Sequence, residues 1–402
     1  MAAAPLEGVR VLDLTHHVAG PFCTKLLADF GADVIKVERP DGGDPARHMG
    51  PFHGDDPHPE KSALFLHLNT NKRSVTLNLK TPTGREVLRR LAARADVVVE
   101  SFRPGVVARL GLDYPTLERL NPTAVLTSIS SFGQSGPFLS LKATDLTLFA
   151  MGGAMNVTGA ADREPLKLGN NVMLCHAGAV AAYATVLALL SAEEDGQGQH
   201  VDVSIYETLM GCRDRRVIYL TGYQYTGETG RRQALGPRLA SGVRPCADGY
   251  VNLLGAARWF PNVCRMLGRE DLVHDPRFAT PERRATPEAA EAFEEYYLPW
   301  LMERTMRQVV ALAQQHHILS APIYTTEDLL RDPHFQERGV WEEIDHPYTG
   351  PAVYPGRPFI MGATPRPPAR RAPLLGEHTA EVLGELGYRR EDLALLREHG
   401  VI

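Results

Sequence analysis

Hydrophobic and polar positions in the first 135 residues alternate between two periods. VRVLDL (9–14) is a compact apolar run with strand character, CTKLLADFG (23–31) has helical spacing that stops at Gly31, and ADVIKVE (32–38) is a second strand. SVTLNL (74–79) alternates with a period of two, and Thr81-Pro82 then opens a helix over GREVLRRLAARA. DVVVES (96–101), the helix YPTLERL and the strand AVLTSISS (124–131) continue the series. Alternating strands and helices predict a parallel sheet covered on both faces, a Rossmann-like α/β domain. Ligands of such sheets sit beyond the carboxyl ends of the strands. Those ends carry Thr15-His16-His17, Glu38-Arg39 and Ser101-Phe102-Arg103.

Further along, the longest apolar stretch runs from Ala177 to Leu190, about 14 residues. That is too short for a bilayer and reads as a buried core helix. DGQGQ is a turn, and HVDVSIYETLMG reads as a strand running into a helix. Residues 213–245 are polar with isolated glycines and read as a linker and loop. A smaller unit follows, with the strand GYVNLLGA, the helix WFPNVCRML and a charged helical stretch from Pro287 to Gln315. DPHFQERG returns to the main body, and the tail from Pro373 reads as two capped helices. The expected organisation is a large domain (1–212 and 326–402) and a small α+β domain (246–325), joined by the 213–245 segment.

Composition narrows the function classes. A chain of 402 residues, 44% of them hydrophobic, exceeds one core and is far from a disordered composition. A net charge of −5 argues against a nucleic-acid surface. The odd set Cys23, Cys175, Cys212, Cys246 and Cys264, without CxxC spacing, fits reduced thiols; no zinc pattern is present, and His316-His317 reads as a helix end. The opening MAAAPLEGVRVLDL lacks a basic segment followed by an apolar one, so a cytoplasmic protein without a membrane partner is expected.

LDLTHHVAGPF follows the first strand where a dinucleotide fold would want GxGxxG, which disfavours NAD. Cations stand at strand ends instead: Arg39, Lys72-Arg73, Arg103, Arg109 and Lys142. Converging on one crevice, they would suit the 3′-phosphate and diphosphate of coenzyme A. Taken singly, each also reads as an ordinary solvated charge.

VLDLTHHVAGPFCTKLLADFGADVIKVERPDGGDPAR and NTNKRSVTLNLKTPTGREVLRRLAARADVVVESFRPGVVARLGL resemble the amino-terminal half of the family III CoA-transferases, the superfamily that also holds the α-methylacyl-CoA racemases. The resemblance continues in order through GQGQHVDVS, DPHFQERG and APLLGEHTAEVLGELG. It implies an interlocked, ring-shaped homodimer that binds acyl-CoA and a carboxylic acid and needs no metal. By position it implies backbone contacts to the cofactor from Val18 and Ala19, and adenine packed on Arg39. It further implies a nucleotide crevice lined by Asn69, Thr70, Asn71, Lys72, Ser101, Phe102 and Arg103, with cationic contacts from Lys72, Arg109 and Lys142. Lys142 to Asp145 would line the thioester end.

One departure stands out. The family's nucleophilic aspartate lies five residues after one glycine and four before another. Here Gly169 and Gly178 keep that frame, and the aspartate slot holds Leu174. Leucine performs no nucleophilic catalysis. Asp145 and His176 are the candidates to replace the aspartate, although Asp145 reads equally as a helix cap and His176 as a structural histidine about 200° around the helix from residue 174. Cys175 reads as a small buried apolar residue. A racemase of this family would need a histidine where Thr144 stands. Three functions follow: transfer of CoA between carboxylic acids, a non-catalytic CoA-binding subunit paired with an aspartate-bearing paralogue, or an isomerase or racemase-like enzyme.

Overall fold

Six short apolar runs form one parallel sheet in the computed structural model, which describes residues 4–211, 215–232, 238–364 and 368–402. They are β1 (Arg10–Leu14), β2 (Asp33–Glu38), β3 (Arg73–Thr76), β4 (Val97–Glu100), β5 (Val125–Ser130) and β6 (His200–Ser204), in the order β3-β2-β1-β4-β5-β6. β4 and β5 are buried at every position, as strands covered on both faces must be. This is the doubly wound order, in which the winding reverses between β1 and β4 and ligands bind at the reversal.

The helices that bear on that reversal are α1 (Ala19–Asp29), α2 (Ala63–Leu68), α3 (Pro82–Ala92), α4 (Val106–Arg109), α5 (Tyr114–Leu120), α6 (Asp145–Met151) and α7 (Val172–Asp195). Thr81 caps α3, its hydroxyl accepting from the Gly84 N–H at 3.0 Å, with Pro82 in the first turn. α7 has 24 residues and is longer than its apolar stretch suggests; by length and composition it would reach across a bilayer. In the fold its small face, Ala177, Gly178, Ala181 and Ala182, is buried. A methyl group on Gly178 would come within 2.4 Å of the Ala19 carbonyl oxygen in α1, so only glycine permits this approach.

The described residues divide into two compact units. The large one joins Met1–Gly159, Arg163–Arg232 and Gly339–Ile402, and holds the sheet. Its last stretch adds a hairpin, Trp341–His346 with Gly350–Pro355, and the helices Thr379–Glu385 and Arg390–Glu398, whose Val382, Leu383 and Leu396 join the core under β1 and β4. The second unit, Ala160–Asp162 with Gln233–Arg338, carries the antiparallel strands Ser241–Cys246, Gly249–Leu254 and Leu319–Pro322 over a core of Phe260, Phe278, Phe293 and Tyr297. The segment read as a linker contains the helix Arg215–Thr226 and the strand from Ser241, while residues 212–214 and 233–237, Cys212 among them, lie outside the described residues.

Candidate functional site

The turn after β1 is fixed by buried charge. Asp13 is fully buried; its carboxylate accepts from the hydroxyls of Thr15 (2.5 Å) and Thr24 (2.6 Å) and from the Lys72 ammonium (3.1 Å). Burial alone would raise its pKa, but Lys72, Lys36 and these hydroxyls hold it well below the usual carboxylate range. Lys36 Nζ donates to the Thr15 carbonyl (2.8 Å) and pairs with Asp44 (2.8 Å). Asp44 in turn accepts from the His17 N–H at 3.0 Å, which holds His17 in the left-handed region at φ 66°. Across the switch point, Ser101 Oγ accepts from the His16 N–H at 3.1 Å and ties the end of β1 to the end of β4.

These strand ends open onto a crevice of about 610 Å³. One wall comes from His16 to Gly20, another from Ser101 to Gly105, and a third from Ile129 to Gln134, with Leu139 to Ala143 at the rim. Leu174, one turn before Gly178 and on the same helical face, closes it beside Ile205. Among its described lining residues none is a carboxylate. Two are strong cations, Arg103 and Lys142, and neither side chain bonds to another described residue. His16 is kept neutral at physiological pH: burial, with Lys36 nearby, pushes its pKa down to about 4. Its Nε2, like Ser130 Oγ and Gln134 Nε2, is buried without a hydrogen-bond partner.

Of the residues expected at a cofactor, the crevice brings together Val18, Ala19, Ser101, Phe102, Arg103 and Lys142. Lys72 is elsewhere engaged. Its ammonium is fully buried and saturated by Asp13, the Pro21 carbonyl (2.9 Å) and Asn69 Oδ1 (2.9 Å), so it holds the fold rather than facing the opening. Thr70 accepts from Lys25 (2.9 Å) and Asn71 donates to Asp29 (2.7 Å); both line a separate cavity of about 410 Å³ beside α1. Arg39 and Arg109 are exposed and lie outside the crevice lining, Arg39 donating to the Gly43 carbonyl at 3.2 Å.

Neither expected catalytic residue lines the crevice. Asp145 begins α6, and its carboxylate is held by Lys167 at 2.6 Å. Thr144 is the cap of that helix, in a reciprocal capping box with Thr147. His176 points from α7 away from the face shared by Leu174 and Gly178. The Cys175 thiol is pushed up by burial and by the Asp145 carboxylate, which leaves it protonated and unreactive.

The family model for CoA-transferase family III matches residues 6–379. The chain belongs to this family. Its curated relatives include the succinyl-CoA–D-citramalate CoA-transferase of Chloroflexus aurantiacus, 34% identical over 99% of this chain and 98% of that one. The succinate–glutarate CoA-transferase of Agrobacterium fabrum is 35% identical over 95% and 96%. Among solved structures, a CAIB/BAIF family protein from Brucella suis superposes with a TM-score of 0.84 at 32% identity, over 96% of this chain and all of that one. The chain is thus a CoA-transferase by family, of mixed α/β fold, with substrates of the CoA thioester and carboxylate class. Sequence reasoning had marked the strand ends of this family III site but not His16, Ser130 or Gln134 as individual groups.

Proposed function

We propose that this chain binds an acyl-CoA with its thioester in the crevice beyond β1, β4 and β5, and passes the CoA to a carboxylic acid. The observation that carries the reading is the pair of unpartnered cations, Arg103 and Lys142, on a crevice with no described carboxylate. Phosphates and carboxylates are the ligands such a site attracts. Val18, Ala19, Ser101 and Phe102 would contact the cofactor there, with Arg39 against the adenine and Arg109 as an outer cation. The relatives' names, which pair succinyl-CoA with D-citramalate and succinate with glutarate, support the same substrate class. An interlocked dimer agrees with the family and would survive nanomolar dilution in light scattering.

Calorimetry with free coenzyme A tests the reading. Arg103→Ala and Lys142→Ala should each weaken binding about ten- to a hundredfold, the range for a charged hydrogen bond. Unchanged affinity in both would remove CoA from this crevice. Leu174 favours one second reading, a CoA-binding subunit whose aspartate-bearing paralogue catalyses. In that case the chain alone binds CoA but transfers none from succinyl-CoA to any acid until the paralogue is added.

A further inference from the structure

Three residues that line this one crevice each carry a buried polar atom without a hydrogen-bond partner: His16 Nε2 from the β1 turn, Ser130 Oγ from the end of β5, and Gln134 Nε2 from the turn that follows. Ser130 is only 6% exposed. Leaving a buried polar atom without a partner destabilises a fold, so three residues that carry such atoms along one crevice call for a ligand that completes them. Each can donate. The hydroxyl and the amide do so in any state, and an imidazole kept neutral can carry its proton on Nε2. Three donors beside two unpartnered cations describe a site for acceptor oxygens, a carboxylate or a thioester carbonyl.

Among the described residues lining the crevice there is no carboxylate and no thiol to attack a thioester. Leu174 fills the expected place, Asp145 is held by Lys167 at 2.6 Å outside the lining, and Cys175 stays protonated. The substrates themselves supply what the chain lacks, because a carboxylate is both nucleophile and leaving group.

We propose that His16, Ser130 and Gln134 seat the acceptor carboxylate in the crevice, where it attacks the acyl-CoA thioester directly and no acyl group passes through the protein. The proposal rests on the transferase reading above. In the first step an acceptor oxygen bonds to the thioester carbon, the C–S bond breaks, and a mixed anhydride and CoA thiolate remain bound. In the second the thiolate attacks the acceptor's carbonyl carbon and the anhydride C–O bond breaks. The donor leaves as a carboxylate and the acceptor as its CoA thioester, without net proton transfer. The three donors hold the oxyanion of each tetrahedral stage, and Leu174 with Val18 gives the anhydride apolar cover from water.

Initial rates of the purified chain with succinyl-CoA against glutarate, D-citramalate or oxalate test the order of events. Intersecting double-reciprocal lines are expected, with no hydroxylamine-sensitive adduct by mass spectrometry. Ser130→Ala and Gln134→Ala should each raise KM for the acid about three- to tenfold. The Kd for coenzyme A should stay unchanged, and Ser130→Thr should restore KM. Because the Ser130 hydroxyl has no partner, Ser130→Ala should leave the unliganded protein as stable as before or more so, which a structural hydroxyl would not. Parallel lines, or an acyl or CoA adduct on any side chain, overturn the proposal and leave the transferase reading standing. So does an unchanged KM in both alanine variants. CoA binding with no transfer to any acid removes the transferase reading, and this proposal with it.

Discussion

Gly178→Ala probes the contact that sets the crevice wall. The added methyl would sit 2.4 Å from the Ala19 carbonyl oxygen, 3.1 Å from Phe22 Cβ and 3.2 Å from the Cys23 nitrogen. The nearest atom is helix backbone, so relief requires α1 and α7 to separate by about 1 Å rather than a side chain to turn. Overpacking of this kind costs about 1–3 kcal/mol, against about 1 kcal/mol gained from alanine's better helix propensity. Because the obstacle is backbone, the upper half of that range applies, about 2–3 kcal/mol, and the net loss is about 1–2 kcal/mol, read as a fall of several degrees in the melting transition of the large unit by calorimetry. Gly384→Ala is the control: it lies in the helix Thr379–Glu385 with no atom within 4 Å of the new methyl, so it should gain up to about 1 kcal/mol. The separation also moves Ala19 and Leu174, so Gly178→Ala should weaken coenzyme A binding while Gly384→Ala does not. A Gly178→Ala protein as stable as the parent would refute the close packing.

Arg47 is a stricter test of buried charge. It is enclosed by Glu38 (2.7 Å), Glu60 (2.7 Å), the Pro373 carbonyl (3.1 Å) and the Phe65 ring (3.7 Å). Arg47→Met should cost about 3–5 kcal/mol because it strands two carboxylates, whereas Lys61→Ala, which breaks a solvent-exposed pair with Asp56, should cost under about 1 kcal/mol in urea denaturation. Stability should also fall on acidification from about pH 6.5 to pH 4. Burial pushes His16, His67 and His346 down to about 4, so across that window the unfolded chain binds more protons than the native one. Glu38 and Asp44, whose buried carboxyls are held down by Arg47 and Lys36 respectively, add to the loss below about pH 4.5. Urea midpoints at pH 5 equal to or above those at pH 7 would contradict this.

The large domain was legible because its strands are buried on both faces and therefore read as unbroken apolar runs, and because Thr81-Pro82 and Gly31 punctuate it locally. All six strands begin and end within a few residues of the positions read from sequence. The hairpin Trp341–Pro355 carried a weaker signal because WEEIDH and GPAVYP hold few apolar residues, and the helix Arg215–Thr226 because polar residues and a glycine interrupt its apolar positions. Partnership was not legible at all. Lys72 and Arg103 look alike as cations near strand ends, yet Lys72 meets Asp13 from 59 residues away while Arg103 has no described partner. The same applies to Ser130 and Gln134. That a hydroxyl or amide is left without a partner is a property of the packed fold, and no local pattern announces it.

The large unit is discontinuous along the chain, and this gives its assembly a timetable. Synthesis runs from the amino terminus, so Arg47 emerges soon before Glu60 but 326 residues ahead of the Pro373 carbonyl that completes its shell. At about 5–20 residues per second that gap lasts about 15–65 s. Through that interval the sheet face later covered by Val382, Leu383 and Leu396 stays uncovered, and by its end the small unit, drawn almost entirely from one later stretch of chain, has emerged whole. At that point a ribosome-bound chain of this protein holds a finished small unit while its large unit is still incomplete. The stretch that holds Val382, Leu383 and Leu396, rather than the first two hundred residues alone, closes the sheet that carries the crevice.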